Sequence, residues 1–228
     1  MLHRLRKAFE SGSDPFHGPV EVDETYIGGK RRNMHNSKRK LFDGHGGAVG
    51  KAIVVGAKDR ETNSITARVI QNTDRETLQG FVEEHSGQYA MIFTDDHSGY
   101  VGIERLHRTV NHSVSEYVRG QCHVNGIESF WAMMKRGYHG TYHKMSPKHL
   151  NRYVAEFYGR HNVREYDTED QMAELVFAME GKRLKYKVDN ARARVQQTCA
   201  QMKALGIPQV GCAEAEDILD IPGHLGAR

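Results

Sequence analysis

Asp23, Asp95 and Glu128 are far apart in the chain, yet each sits where a side chain could reach a shared site. Asp23 lies in Val20-Glu21-Val22-Asp23-Glu24-Thr25-Tyr26-Ile27, a run rich in strand-forming residues and closed by Gly28-Gly29. Asp95 ends a second such run, Tyr89-Ala90-Met91-Ile92-Phe93-Thr94-Asp95, and ligand sites of α/β sheets gather beyond strand ends. Asp96 competes with it, and both also suit a turn in Asp95-Asp96-His97-Ser98-Gly99. Glu128 falls in an amphipathic helix read over residues 123–135. With helical periodicity, Ile127, Phe130, Trp131 and Met134 share one side, and Asn125, Glu128 and Lys135 lie opposite, with Arg136 beside them. Carboxylates are hard oxygen donors of the kind that Mg²⁺ and Mn²⁺ prefer. Two such ions about 4 Å apart can activate an attacking oxygen and stabilise a leaving one. Three converging carboxylates also repel one another, and metal relieves that repulsion. If the fold unites them, the expected chemistry is metal-dependent cutting or joining of DNA.

Basic residues supply the complementary charge. Lys135, two turns beyond Glu128, can meet a DNA phosphate as a point charge. Lys30, Arg31, Arg32, Lys38, Arg39 and Lys40 cluster in a stretch also rich in Asn, Gly and His. Such a run is either a solvated loop or, beside a carboxylate site, a phosphate-binding one. The sequence holds 14 histidines, but only His139-x-x-x-His143 has helical ligand spacing. It lies in the loop-like Gly137–His143 stretch, so a phosphate or DNA contact ranks above a zinc site.

The remaining composition sets bounds. A length of 228 residues suits one domain with appendages, and 38% apolar residues suffice for one core. The net charge of +3 is only mildly basic and by itself argues weakly for nucleic acid. No apolar run approaches a membrane span, and Met1–Ala8 lacks a signal-peptide core, so the expected location is the cytoplasm. Cys122, Cys199 and Cys212 form no Cys-x-x-Cys pair, so neither a disulfide framework nor a zinc ribbon is indicated.

Around the candidate site the chain reads as a mixed sheet with helices on its faces. A short basic helix in residues 1–12 precedes the first strand at 19–28. Ala52–Ala57 reads as a buried strand, and Ile65, Ala67 and Val69 alternate with polar neighbours as in a half-buried one. The turn between them predicts an antiparallel pair. Thr73-Asp74-Arg75-Glu76 fits a capping box opening a helix whose apolar stripe is Leu78, Phe81 and Val82. A short helix near 98–104 and a strand near 108–114 follow the Asp95 strand. Ser146-Pro147 opens another helix, with a stripe of Leu150, Tyr153, Val154, Phe157 and Tyr158. Residues 166–186 read as charged and moderately helical, and 189–204 as a helix in a polar tail.

Several motifs in order resemble a family. Val22-Asp23-Glu24-Thr25-Tyr26-Ile27-Gly28-Gly29 and Thr94-Asp95 with Tyr100 are two of them. Asn125-x-Ile127-Glu128-x-x-Trp131-x-x-x-Lys135-Arg136-Gly137, Gly140-Thr141-Tyr142 and the Ser146–Arg164 segment complete the set. Together, over about 19–165, they resemble bacterial insertion-sequence transposases of the DDE type with an ISXO-like transposase domain. The resemblance implies an α/β fold, a ribonuclease H-like mixed sheet flanked by helices. It implies Mg²⁺ or Mn²⁺, two ions, held by Asp23, Asp95 and a third residue. Glu128 with Lys135 fits the usual Glu-x6-Lys spacing; Asn125, one turn earlier, is the alternative. It further implies cleavage and strand transfer at inverted-repeat ends of double-stranded DNA by a homodimer, nucleoid-associated when bound. The expected domains are 1–18, the last piece of an N-terminal DNA-binding region; 19–165, the catalytic domain; and 166–228, a partly helical or disordered extension. Two other functions remain open: a metal-dependent nuclease of the same fold, and a non-catalytic DNA-binding remnant.

Overall fold

The protein is described by a computed structural model covering residues 2–10, 14–29, 33–39, 50–110 and 123–182, with Lys38 by its backbone alone. Among the described residues five strands form one sheet: β1 Val20–Ile27, β2 Ala52–Asp59, β3 Ile65–Ile70, β4 Met91–Asp95 and β5 Leu106–Val110. Their spatial order is β3-β2-β1-β4-β5. The β1–β2 and β2–β3 pairs are antiparallel, the second across the short turn 60–64; the β1–β4 and β4–β5 pairs are parallel. The helices are α1 Leu2–Ala8, α2 Asn36–Arg39, α3 Arg75–His85, α4 Asn125–Gly137, α5 Leu150–Asn162 and α6 Thr168–Met179. This mixed sheet flanked by helices is the ribonuclease H-like arrangement that the motifs implied.

Strand alternation divides the core into two layers. Ile27, Val54, Ile65, Ala67 and Phe93 point to one face, where they pack with Ile127, Phe130, Trp131 and Met134 of α4 and Leu150 and Val154 of α5. Val20, Val22, Val55, Ala57 and Ile92 point to the other, against Leu78, Phe81 and Val82 of α3. The apolar stripes read from the sequence are therefore the buried faces of these helices. Alternation also places Glu21 and Asp23 under α4, and Glu24 on the α3 side.

Several local details differ from the expectation. Asp74, not Thr73, caps α3: its carboxylate accepts the Thr77 N–H at 2.8 Å. A carboxylate one residue later serves the free N–H groups of the first turn equally well, and Glu76 remains there to oppose the helix dipole. The short helix after β4 is a single turn, Ser98–Tyr100. The loop expected at Gly137–His143 is a wide helical turn, Tyr138–Tyr142, that prolongs α4 and stops at His143 with a left-handed φ of 55°. Its glycine and aromatic residues looked irregular in sequence, but Tyr138 is buried and ties the turn to the core. The strand expected near 108–114 is described only over Leu106–Val110, since 111–122 lie outside the described residues. The expected tail helix 189–204 also lies outside them.

Candidate active site

Sheet topology brings Asp23 and Asp95 together. In the parallel β1–β4 pair, Val20 is opposite Ile92 and Glu21 opposite Phe93. Two residues further, Asp23 and Asp95 follow on the same face, that of α4. The helix crosses this face with its apolar side down. Trp131 anchors the crossing: its indole N–H donates to Asp23 Oδ2 at 3.0 Å. The indole fits because the residue paired with Asp23 on β2 is Gly56, where a Cβ would stand 2.6 Å from the Trp131 ring. Glu128, one turn before Trp131, is exposed on the same helix.

The electrostatics tie the carboxylates together. The Asp23 carboxyl is pushed from its ordinary 3.8 up to about 7, first by burial, then by the charges of Glu24 and Asp95, with a smaller contribution from Glu128. Burial also raises the Glu24 carboxyl, and Asp95 adds to this; Tyr100 and His97 oppose it. Tyr100 donates its O–H to Glu24 Oε2 at 2.9 Å, and His97 Nε2 lies 3.9 Å from Glu24 Oε1. Burial and the same carboxylates hold the Tyr100 hydroxyl well above its ordinary range, keeping it a neutral donor. A half-buried cluster of like charge is a place where a cation is stabilising.

Asp95 and Asp96 are distinguished by their surroundings. Asp96 is exposed, whereas Asp95 is half-buried, accepts the His97 N–H at 3.1 Å through Oδ1, and acts on both Asp23 and Glu24. Asn125 and Glu128 are both exposed on α4, and the Glu128 charge adds to the rise at Asp23. Among the described residues no group of three or more His, Cys, Asp or Glu side chains is drawn tightly enough together to hold a metal ion. The donor set is nonetheless chemically suited to a hard divalent cation, being all carboxylate oxygen, crowded by like charge and partly withdrawn from water.

The basic residues are less united. Lys135 and Arg136 are exposed in the last turn of α4. Arg39 is exposed on α2 and donates to the Met34 carbonyl at 3.3 Å. Lys30, Arg31, Arg32 and Lys40 lie outside the described residues, as does the Lys38 side chain.

Sequence reasoning missed Glu24 as a charged neighbour, Trp131 as a donor and Gly56 as the space it needs. Gly56 carried a signal: an isolated glycine within a strand marks a close approach of another group. A family model, that of the ISXO2-like transposase domain, matches residues 15–162, more than half of the chain and all of the elements from β1 to α5. A comparison with curated proteins gives no match.

Proposed function

The chain belongs to the family of ISXO2-like transposase domains, and we propose that it cleaves and joins DNA at inverted-repeat ends, with Asp23, Asp95 and Glu128 as the ligands of two Mg²⁺ or Mn²⁺ ions. The observation that carries this reading is geometric: β1 runs beside β4, so that Asp23 and Asp95 share the face that α4, the helix of Glu128, crosses with Trp131 on Asp23; the raised Asp23 carboxyl agrees with it. Divalent ions held there would supply Lewis-acid activation of the attacking oxygen and charge stabilisation at the leaving one. The protein's own groups do the positioning. The Trp131 indole N–H fixes the Asp23 carboxylate through Oδ2, and the His97 N–H fixes that of Asp95 through Oδ1. Water attack breaks the P–O3′ bond at the element's end and leaves a 3′-OH. That hydroxyl then attacks a target phosphorus, releasing a target 3′-OH. One phosphodiester bond replaces another in that step, so no further energy source is needed. Lys135 and Arg136 hold phosphates of the bound duplex, a sequence-independent and salt-sensitive contribution. The protein works as a homodimer on paired ends in the cytoplasm, at the nucleoid when bound to DNA.

The test is nicking and joining of a duplex carrying the repeats that flank the coding region, with and without Mg²⁺. Asp95→Asn should lower the rate at least about a hundredfold, the scale of losing several kcal/mol of charge stabilisation. Undiminished activity would reject the assignment, and hydrolysed ends without joined ones would leave only a nuclease.

A further inference from the structure

Two residues before Asp23, on the same face of β1, is a carboxylate the catalytic reading does not use. Glu21 is only 1% exposed. A buried carboxylate is costly unless paired and hydrogen-bonded. Here the surroundings are built for it. Oε1 receives the Arg60 Nε–H at 2.7 Å, and Oε2 receives the backbone N–H of Ile127 at 2.9 Å. His123 Nδ1 stands 3.3 Å from Oε1. Arg60 in turn donates to the His123 carbonyl and lies over the Phe93 ring at 4.0 Å. Lys58 is paired with Glu21 across the β1–β2 ladder.

Ile127 is in the first turn of α4, next to Glu128. Helix α4 has no side-chain cap of its own, since Val124 precedes it. The carboxylate of a sheet residue therefore satisfies one of the free N–H groups there and faces the positive end of the helix dipole. Gly126 makes the approach possible: a Cβ at this position would stand 2.7 Å from Glu21 Oε2 and 2.9 Å from Lys58 Nζ.

We propose that Glu21 is a positioning residue, a clamp that fixes the first turn of α4 to β1 and thereby sets Glu128 against Asp23. One rigid strand then holds both Asp23 directly and Glu128 through the clamp. The inference rests on the reading of Asp23, Asp95 and Glu128 as ligands, and its test separates the two.

Trp131 is the sole tryptophan of the chain and touches Asp23, so it sensitises Tb³⁺, a hard, oxygen-seeking stand-in for Mg²⁺. Titrating the full chain with Tb³⁺, Glu21→Gln should weaken binding tenfold or more, the scale on which outer-shell partners act on metal sites (about 10–100-fold). In a Glu128→Gln background the same change should add less than about twofold, because the clamp acts through Glu128. Gly126→Ala keeps every buried charge but displaces the carboxylate; it should reproduce the loss, and it decides the matter if Glu21→Gln does not fold. On DNA ends, both variants should lower kcat and leave KM unchanged. Equal loss with and without Glu128, or a lowered denaturation midpoint with unchanged Tb³⁺ affinity, would overturn the clamp alone. Absence of Tb³⁺ emission from the unaltered chain would overturn the clamp and the ligand assignment together.

Discussion

Asp23 concentrates the physical tension of this protein in one carboxyl group. Its ordinary value of 3.8 becomes about 7 in the fold. Between those values the native state retains a proton that the unfolded chain has lost. Stability therefore falls as pH rises from about 4 to 7 and levels off above, by on the order of 4 kcal/mol at most. The expected result in EDTA is a urea midpoint lower at pH 8 than at pH 5. Asp23→Asn should remove most of that fall, and divalent cation should restore the pH 8 midpoint of the unaltered chain. A midpoint that rises through this window in EDTA would contradict the charge crowding on which the site assignment rests.

At the scale of elements, the placement of α4 decides the site. Its buried stripe, Ile127, Phe130, Trp131 and Met134, supplies the adhesion to the sheet. Burial of such side chains contributes about 1.5–3 kcal/mol each but does not select one crossing position among several similar ones. Specific contacts do that: the indole N–H on Asp23, the glycine beneath the ring, and the Glu21 carboxylate at the first turn. Gly56→Ala places a methyl 2.6 Å from the Trp131 ring. The expected cost is about 1–3 kcal/mol of overpacking. Because the clash tilts the helix that carries Glu128, Mg²⁺-dependent nicking should fall as well. A thermal scan and the nicking assay on the same preparation check both; full activity at reduced stability would show that α4 tolerates the shift.

At the scale of the molecule, residues 1–182 form one compact unit, and the N-terminal helix is part of it. Arg6 of α1 is buried, pairs with Glu156 of α5 at 2.7 Å and lies over the Tyr153 ring at 4.1 Å. Tyr142 donates its hydroxyl to the same Glu156 oxygen at 2.9 Å, and burial with this carboxylate raises the Tyr142 hydroxyl above its ordinary value. Phe9 occupies the space that Gly159 leaves open, and Tyr158 donates to the Phe9 carbonyl at 3.0 Å. Among the described residues no helix is long and apolar enough to cross a membrane. Arg6→Ala removes one partner of the largely buried pair and leaves Glu156 with Tyr142 and the exposed Arg160. A loss of about 1–3 kcal/mol is expected from urea unfolding, with faster proteolysis near the N-terminus. An unchanged midpoint would mean that α1 contributes little to the core.

The strands, the amphipathic helices and their buried stripes were legible in the sequence because each depends on neighbours within a turn or two. Val20 to Ile27 alternates wherever it is placed, and the spacing of Ile127, Phe130, Trp131 and Met134 is a property of the α-helix. The candidate ligands could be named because acidic residues at strand ends and on polar helix faces are locally conspicuous. What only the tertiary structure decided depends on sheet order and register. These put β1 beside β4, set Asp95 rather than Asp96 toward Asp23, and bury Glu21 where Val20-Glu21-Val22-Asp23 shows only a polar alternation. The Thr73 cap failed for a local reason, since the adjacent Asp74 serves the same first-turn N–H groups. Periodicity fixes which side of an element is apolar; which polar groups meet across the core depends on how strands with many compatible neighbours are ordered and aligned.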